Sequence, residues 1–179
     1  MSDDWRADVL KFWFALSYDD WWSGEPELDH RIKEQFLQPW TAKRQLPAES
    51  FLGDPLTAIA AVILFDQFPR NMFRGHADQF STDPLALAVA RGAVDKGYDD
   101  GMTSDRRGFL YMPFQHSEDP RAQLKSLLLF TALGDAEQLD YARKHHAVIE
   151  RFGRFPHRNE ILGRKPTAME QAAGKVVPW

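Results

Sequence analysis

Three times the chain sets Asp before Pro, at Asp54-Pro55, Asp83-Pro84 and Asp119-Pro120, and each pair opens a stretch with apolar residues at helical spacing. An Asp side chain accepts hydrogen bonds from the N–H groups that a first helical turn leaves open, and Pro at the first helical position has its φ already set and no N–H to lose. All three pairs therefore read as helix starts. The first leads Leu56-Thr57-Ala58-Ile59-Ala60-Ala61-Val62-Ile63-Leu64-Phe65, apolar nearly all round and expected to be the central buried helix. Glycines stop the other two, at Gly97 and Gly134. Asp3 or Asp4 can cap an earlier helix carrying Trp5, Val9, Phe12, Trp13 and Leu16, while Leu28, Ile32, Phe36 and Leu37 mark one expected to end near Pro39, with Trp40 sealing the corner. Asp135-Ala136-Glu137-Gln138 and Thr167-Ala168-Met169-Glu170 fit the capping box, adding a long helix to about Phe152 and a short terminal one. No stretch alternates polar and apolar residues with the β-branched richness of a strand, so the fold class is all-α.

With 179 residues, 44% hydrophobic and 27% charged, the chain suits one globular domain spanning 1–179, with no linker or low-complexity segment. It has no cysteine, which excludes disulfides, thiolate metal sites and cysteine nucleophiles. A net charge of −4 argues against a nucleic-acid partner, whose binding would rest on neutralised phosphates. Met1-Ser2-Asp3-Asp4-Trp5 lacks the basic start and apolar core of a signal peptide, and charges interrupt every run that approaches a membrane span. The expectation is a cytoplasmic protein without a membrane partner. The charge is uneven: between Arg143 and Lys165 the basic residues Arg143, Lys144, Arg151, Arg154, Arg158, Arg164 and Lys165 face only Glu150 and Glu160.

One phrase occurs twice, as Phe68-Pro69-Arg70-Asn71 and as Phe155-Pro156-His157-Arg158-Asn159. Proline fixes its own φ and drives the preceding Phe toward an extended conformation, so each copy is expected to form a corner that presents a guanidinium and an amide. Asp66 ends the apolar helix, where the macrodipole disfavours a carboxylate, and Arg158 falls in a first turn, where a cation is disfavoured. Two readings follow. Either an Asp66–arginine clamp pins the corners, or Arg70, Asn71, Arg158 and Asn159 bind a carboxylate or phosphate, with Asp66, Arg154 and His157 beside them.

His116-Ser117-Glu118-Asp119 lies between Pro113 and Pro120 and is expected to be a turn, on which His116 and Glu118 can reach one point and serve as acid and base, as a metal pair or as partners for the arginines. No Glu-x-x-His or His-x-x-Glu-His helical pairing accompanies them, so no metal or other cofactor is assigned. His145 and His146 are neighbours on a helix and cannot share one site; each reads first as a packing histidine.

At Phe65-Asp66-Gln67-Phe68-Pro69-Arg70-Asn71, His116-Ser117-Glu118 and Arg151-Phe152-Gly153-Arg154-Phe155-Pro156-His157-Arg158-Asn159, the chain resembles the uncharacterised bacterial family known as domain of unknown function 924. The likeness runs from Phe12-Trp13-Phe14 to Thr167-Ala168-Met169-Glu170. It implies an all-helical fold similar to tetratricopeptide-like superhelices, and it implies no activity.

The sequence therefore carries two expectations about function. The leading one is a single polar pocket, where the two Phe-Pro corners and the His116–Glu118 turn meet, for a small anionic molecule, with His116 and Glu118 as its catalytic pair. The rival is a helical module that receives a peptide or protein partner, its motifs purely structural. Oligomeric state lies beyond the sequence.

Overall fold

The structure is a computed structural model that describes residues 4–178. Every regular element among them is helical, as the Asp-Pro starts and capping boxes require. The helices are α1 (Trp5–Trp13), α2 (Tyr18–Trp22), α3 (Pro26–Lys43), α4 (Pro55–Val62), α5 (Phe68–Met72), α6 (Asp83–Asp95), α7 (Ser104–His116), α8 (Pro120–Leu133), α9 (Ala136–Phe152) and α10 (Ala168–Ala173). No described helix is long and apolar enough to cross a membrane. The chain divides into two compact units, the first closing at Met102 and the second opening at Thr103.

In the first unit, α4 is the buried helix expected from its sequence: Ala58 to Phe65 have no exposed surface. Aromatic rings close the core around it. Phe36 of α3 meets Phe68 at 4.4 Å between ring centres, Phe12 meets Phe36 at 5.2 Å, and Phe51 meets Phe65 edge to face at 5.1 Å. Asp4 caps α1 by accepting from the Arg6 N–H, whereas Asp3, the alternative cap, lies outside the described residues.

Three local expectations are corrected here. Helix α3 does not end at Pro39 but runs on to Lys43. The lost hydrogen bond is offset by anchoring of the next residue: the Trp40 indole N–H donates to Thr82 Oγ1 at 3.2 Å, and its ring lies between Phe73 and the Arg44 guanidinium. Second, Phe68 is helical, with φ −59° and ψ −38°, although a proline follows it. The helix passes from α4 to α5 through a π turn, Ile63–Gln67, in which the Phe68 N–H reaches back to the Ile63 carbonyl. That wider turn accommodates Pro69 without breaking the helix. Third, the N-cap of α6 is Thr82 rather than Asp83, and Asp83 stands one position inside, where its carboxylate is drawn to Arg70.

The second unit packs α8 against both α7 and α9. Asp119 caps α8, and Gly134 ends it in the left-handed conformation, φ +81°. Asp135 caps α9 by accepting from the N–H groups of Glu137 and Gln138, but the Gln138 side chain donates to Asp135 Oδ2 instead of reaching the cap N–H, so this is a simple cap and not a box. The Thr167–Glu170 box forms in full. Helix α7 was not foreseen. It is buried on every side from Gly108 to Gln115 and contains Pro113, so it has neither an amphipathic stripe nor an uninterrupted helical pattern.

Candidate functional site

The two Phe-Pro copies have different backbones. In the first unit, the π turn places Asp66 and Gln67 in the interior, Asp66 with no exposed surface. Gln67 Nε2 donates to Asp66 Oδ2, and Arg70 approaches Asp66 Oδ1 at 3.4 Å while donating to the Asp66 carbonyl. Arg70 also grips Asp83 with both terminal nitrogens, at 2.8 and 3.0 Å. Burial opposes the Arg70 charge, but Asp66 and then Asp83 outweigh it and hold its pKa above the ordinary value. Asn71 donates to Asp29 of α3 at 2.8 Å, and Arg74 binds both oxygens of the same carboxylate. Each donor of this motif that sequence reasoning aimed at a ligand thus meets a carboxylate of the protein.

In the second unit, Gly153 stops α9 with φ +71°, and Phe155, at φ −89° and ψ 105°, has the extended backbone expected before proline. Pro156–Arg158 then form a single 3-10 turn. Two carboxylates tie the segment down. Glu170 of α10 accepts from Arg154 Nε and Nη2, both at 2.7 Å, and from Asn159 Nδ2 at 3.2 Å. The Arg154 bonds are the main reason its carboxyl is held down to about 2. Glu118 accepts from both terminal nitrogens of Arg164 and from the Phe155 N–H. Burial raises its pKa, yet these bonds overcome that and keep it below the usual carboxylate value. Arg164 continues to the Phe155 carbonyl and to Asn159 Oδ1, each at 2.9 Å.

Phe155 is the hub of what remains. Its fully buried ring is met edge to face by His145 at 5.6 Å, while the tilted His157 ring lies 5.6 Å away and the Arg158 guanidinium stands over it at 4.6 Å. His116 adds its ring 6.1 Å from that of His145, and its carbonyl accepts from Arg158 Nη2 at 2.9 Å. His145 is 4% exposed, and its Nδ1 lies 2.8 Å from the Tyr141 carbonyl. A carbonyl only accepts, so Nδ1 carries the proton and Nε2 is the acceptor nitrogen of the neutral ring. Burial, and after it the electrostatic influence of His116, Arg158 and His157, lowers the His145 pKa to about 3.

His116 is not on a turn but is the last residue of α7, with Glu118 beyond it in the short link to α8. The second unit brings together His116, Glu118, Arg154, His157, Arg158 and Asn159 of the expected set, while Asp66, Arg70 and Asn71 form their own group in the first. His145 is the packing histidine that the sequence suggested, while Arg164 was counted only within the basic stretch and Glu170 only as a capping residue. Among the described residues, no group of three or more His, Asp or Glu side chains is placed to hold a metal ion.

An all-helical protein with two ion-paired Phe-Pro motifs, one inside a helix and one at a helix end, is the class these features define. The chain belongs to the family of bacterial proteins of unknown function DUF924, whose model matches residues 9–173. It is similar to the solved structure of a protein of unknown function from Agrobacterium tumefaciens, at 37% identity over 94% of this chain and 95% of that one, with a TM-score of 0.88. A comparison with curated proteins finds no match.

Proposed function

We propose that the chain binds a small anionic molecule, a carboxylate or a phosphate, through His116, His157 and Arg158. The observation that carries this reading is that His145, His157 and Arg158 meet the Phe155 ring while His116 meets the His145 ring and ties its carbonyl to Arg158, so that three histidines and a guanidinium share one corner of the second unit. Burial, the larger cause of the low His145 pKa, disfavours charge of either sign, so the attraction for an anion comes from the Arg158 guanidinium beside the ring. Arg154 and Asn159 serve that site indirectly by fixing Glu170, and Glu118 does so by fixing Arg164 and the Phe155 N–H. Glu118, held ionised by Arg164, is a poor proton donor, so proton transfer at this site falls to His116. In this reading Asp66, Arg70 and Asn71 form a clamp that holds the first unit together. A cysteine-free chain suits a reducing compartment, and the reading places it in the cytoplasm.

The test is a thermal-shift panel of phosphate, sulfate and small mono-, di- and tricarboxylates at constant ionic strength. At least one should raise the melting temperature in a saturable way. A panel without any such shift overturns the proposal.

A second reading has its own observation. Leu124 and Leu128, one turn apart on α8, are 54% and 68% exposed, which suits a tetratricopeptide-like module receiving a partner helix. Replacing both with Lys would abolish capture of such a partner and leave anion-induced stabilisation intact.

A further inference from the structure

The strongest feature outside the charged groups is how α7 ends. Helices α8 and α9 stop at left-handed glycines, Gly134 and Gly153, whereas α7 stops at Ser117 with extended backbone, φ −77° and ψ 141°. A helix that ends this way leaves its last carbonyls to be satisfied from elsewhere. Here side chains from other elements take three in succession. Gln123 Nε2 of α8 donates to the Gln115 carbonyl at 2.7 Å and to the Ser117 carbonyl at 2.6 Å. Arg158 takes the His116 carbonyl between them.

Gln123 has no exposed surface, and it faces the interior from the same side of α8 as Ala122, Ser126, Leu129 and Phe130. Both amide protons are accounted for by the two carbonyls, which also fixes which end of the amide is nitrogen. Its Oε1 is buried without a hydrogen-bond partner among the described residues. A buried amide whose oxygen goes unsatisfied is costly, and its two donated bonds offset that cost by satisfying carbonyls that an apolar side chain would leave open. What the amide provides is the pair of bonds on either side of His116.

We propose that Gln123 is the positioning residue of the anion site: by holding the carbonyls of Gln115 and Ser117 it fixes the backbone of His116, and with it the direction of the His116 ring and the carbonyl to which Arg158 is tied. The inference rests on the reading of His116, His157 and Arg158 as the anion-binding set. It states that the geometry of this set is imposed from α8, by a residue with neither charge nor exposure. Gln123→Met keeps the volume and removes both donors. Ser126→Ala, one turn along the same buried face, is the comparison for a change that touches neither carbonyl.

The experiment follows the ring protons of His116 by NMR through a pH titration and through a titration with inorganic phosphate, for the parent, Gln123→Met and Ser126→Ala. Melting temperatures are recorded alongside. Gln123→Met should weaken phosphate binding by about tenfold and move the His116 titration midpoint by about half a pH unit or more. Ser126→Ala should match the parent in both readouts. A Gln123→Met protein that is less stable but keeps the parental His116 midpoint and phosphate affinity overturns the proposal. If the parent itself ignores phosphate, the anion reading fails at that step, and the His116 midpoint alone decides the positioning role. If Gln123→Met does not fold, the side-chain amide protons of Gln123 in the parent decide it: slow exchange with water and a response to phosphate are expected, and rapid exchange with no response overturns it.

Discussion

Asp66 shows what a single residue can force on its surroundings. A carboxylate with no exposed surface must be hydrogen-bonded and balanced, and here Gln67, Arg70 and the neighbouring Asp83 make one closed group. Removing the cation from that group strands two acids, one of them wholly buried, so Arg70→Met should cost about 3–5 kcal/mol of stability, read from urea unfolding. A loss under about 1 kcal/mol, the worth of an exposed pair, would contradict the clamp. His145 is the other residue whose environment has a readable consequence. Its folded-state pKa of about 3 lies below the ordinary 6.5, so the unfolded chain takes up a proton at this position between those values while the folded one does not. Its contribution is therefore complete above pH 6.5 and is lost as pH falls toward 3. His145→Leu should flatten the fall in stability across that window, measured as melting temperature against pH. At this scale the sequence was informative about charge and silent about partners. Asp66 and Arg70 are four residues apart and could be paired on paper, whereas Arg164 and Glu118 are joined only by the fold.

The elements divide between those written in local signals and those made by packing. Helices α4, α8 and α9 carry an Asp cap, so their starts were legible, and the glycine stops of α8 and α9 made their ends legible too, whereas the helix expected to end at Asp66 runs on through the π turn into α5. Helix α7 and the π turn were not legible. The first is buried on all faces, which erases the periodicity that reveals a helix, and the second is a response to Pro69 that no propensity records. Helix α10 lies between these cases. Its capping box was legible, but the same Glu170 carboxylate that closes the box also accepts from Arg154 and Asn159, and so fastens the helix to the second Phe-Pro segment. Because the Glu170 pKa is depressed from 4.5 to about 2, this fastening is fully present above pH 4.5 and is lost as pH falls toward 2. Glu170→Gln should lower the melting temperature at pH 7 and increase amide exchange in α10, and the gap from the parent should close in acid. An equal gap at pH 7 and pH 2.5 would show that the charge does not hold the helix.

At the scale of the whole molecule, the all-α class and the nearly chain-long family likeness followed from the three Asp-Pro starts and the repeated Phe-Pro phrase. What the sequence could not separate is the meaning of its two copies. Phe68-Pro69-Arg70-Asn71 and Phe155-Pro156-His157-Arg158-Asn159 are near-equivalents in sequence, but one continues a helix and gives its arginine to two carboxylates, while the other leaves a helix and gathers two histidines and an arginine about one phenylalanine. The second copy is therefore where the account places binding. The measurement that tests this most directly is the phosphate-dependent rise in melting temperature of the parent, Arg158→Met and Arg70→Met, each compared with its own phosphate-free value. The account predicts a rise in the parent, a similar rise from a lower baseline in Arg70→Met, and none in Arg158→Met. A rise that survives in Arg158→Met and vanishes in Arg70→Met would contradict it.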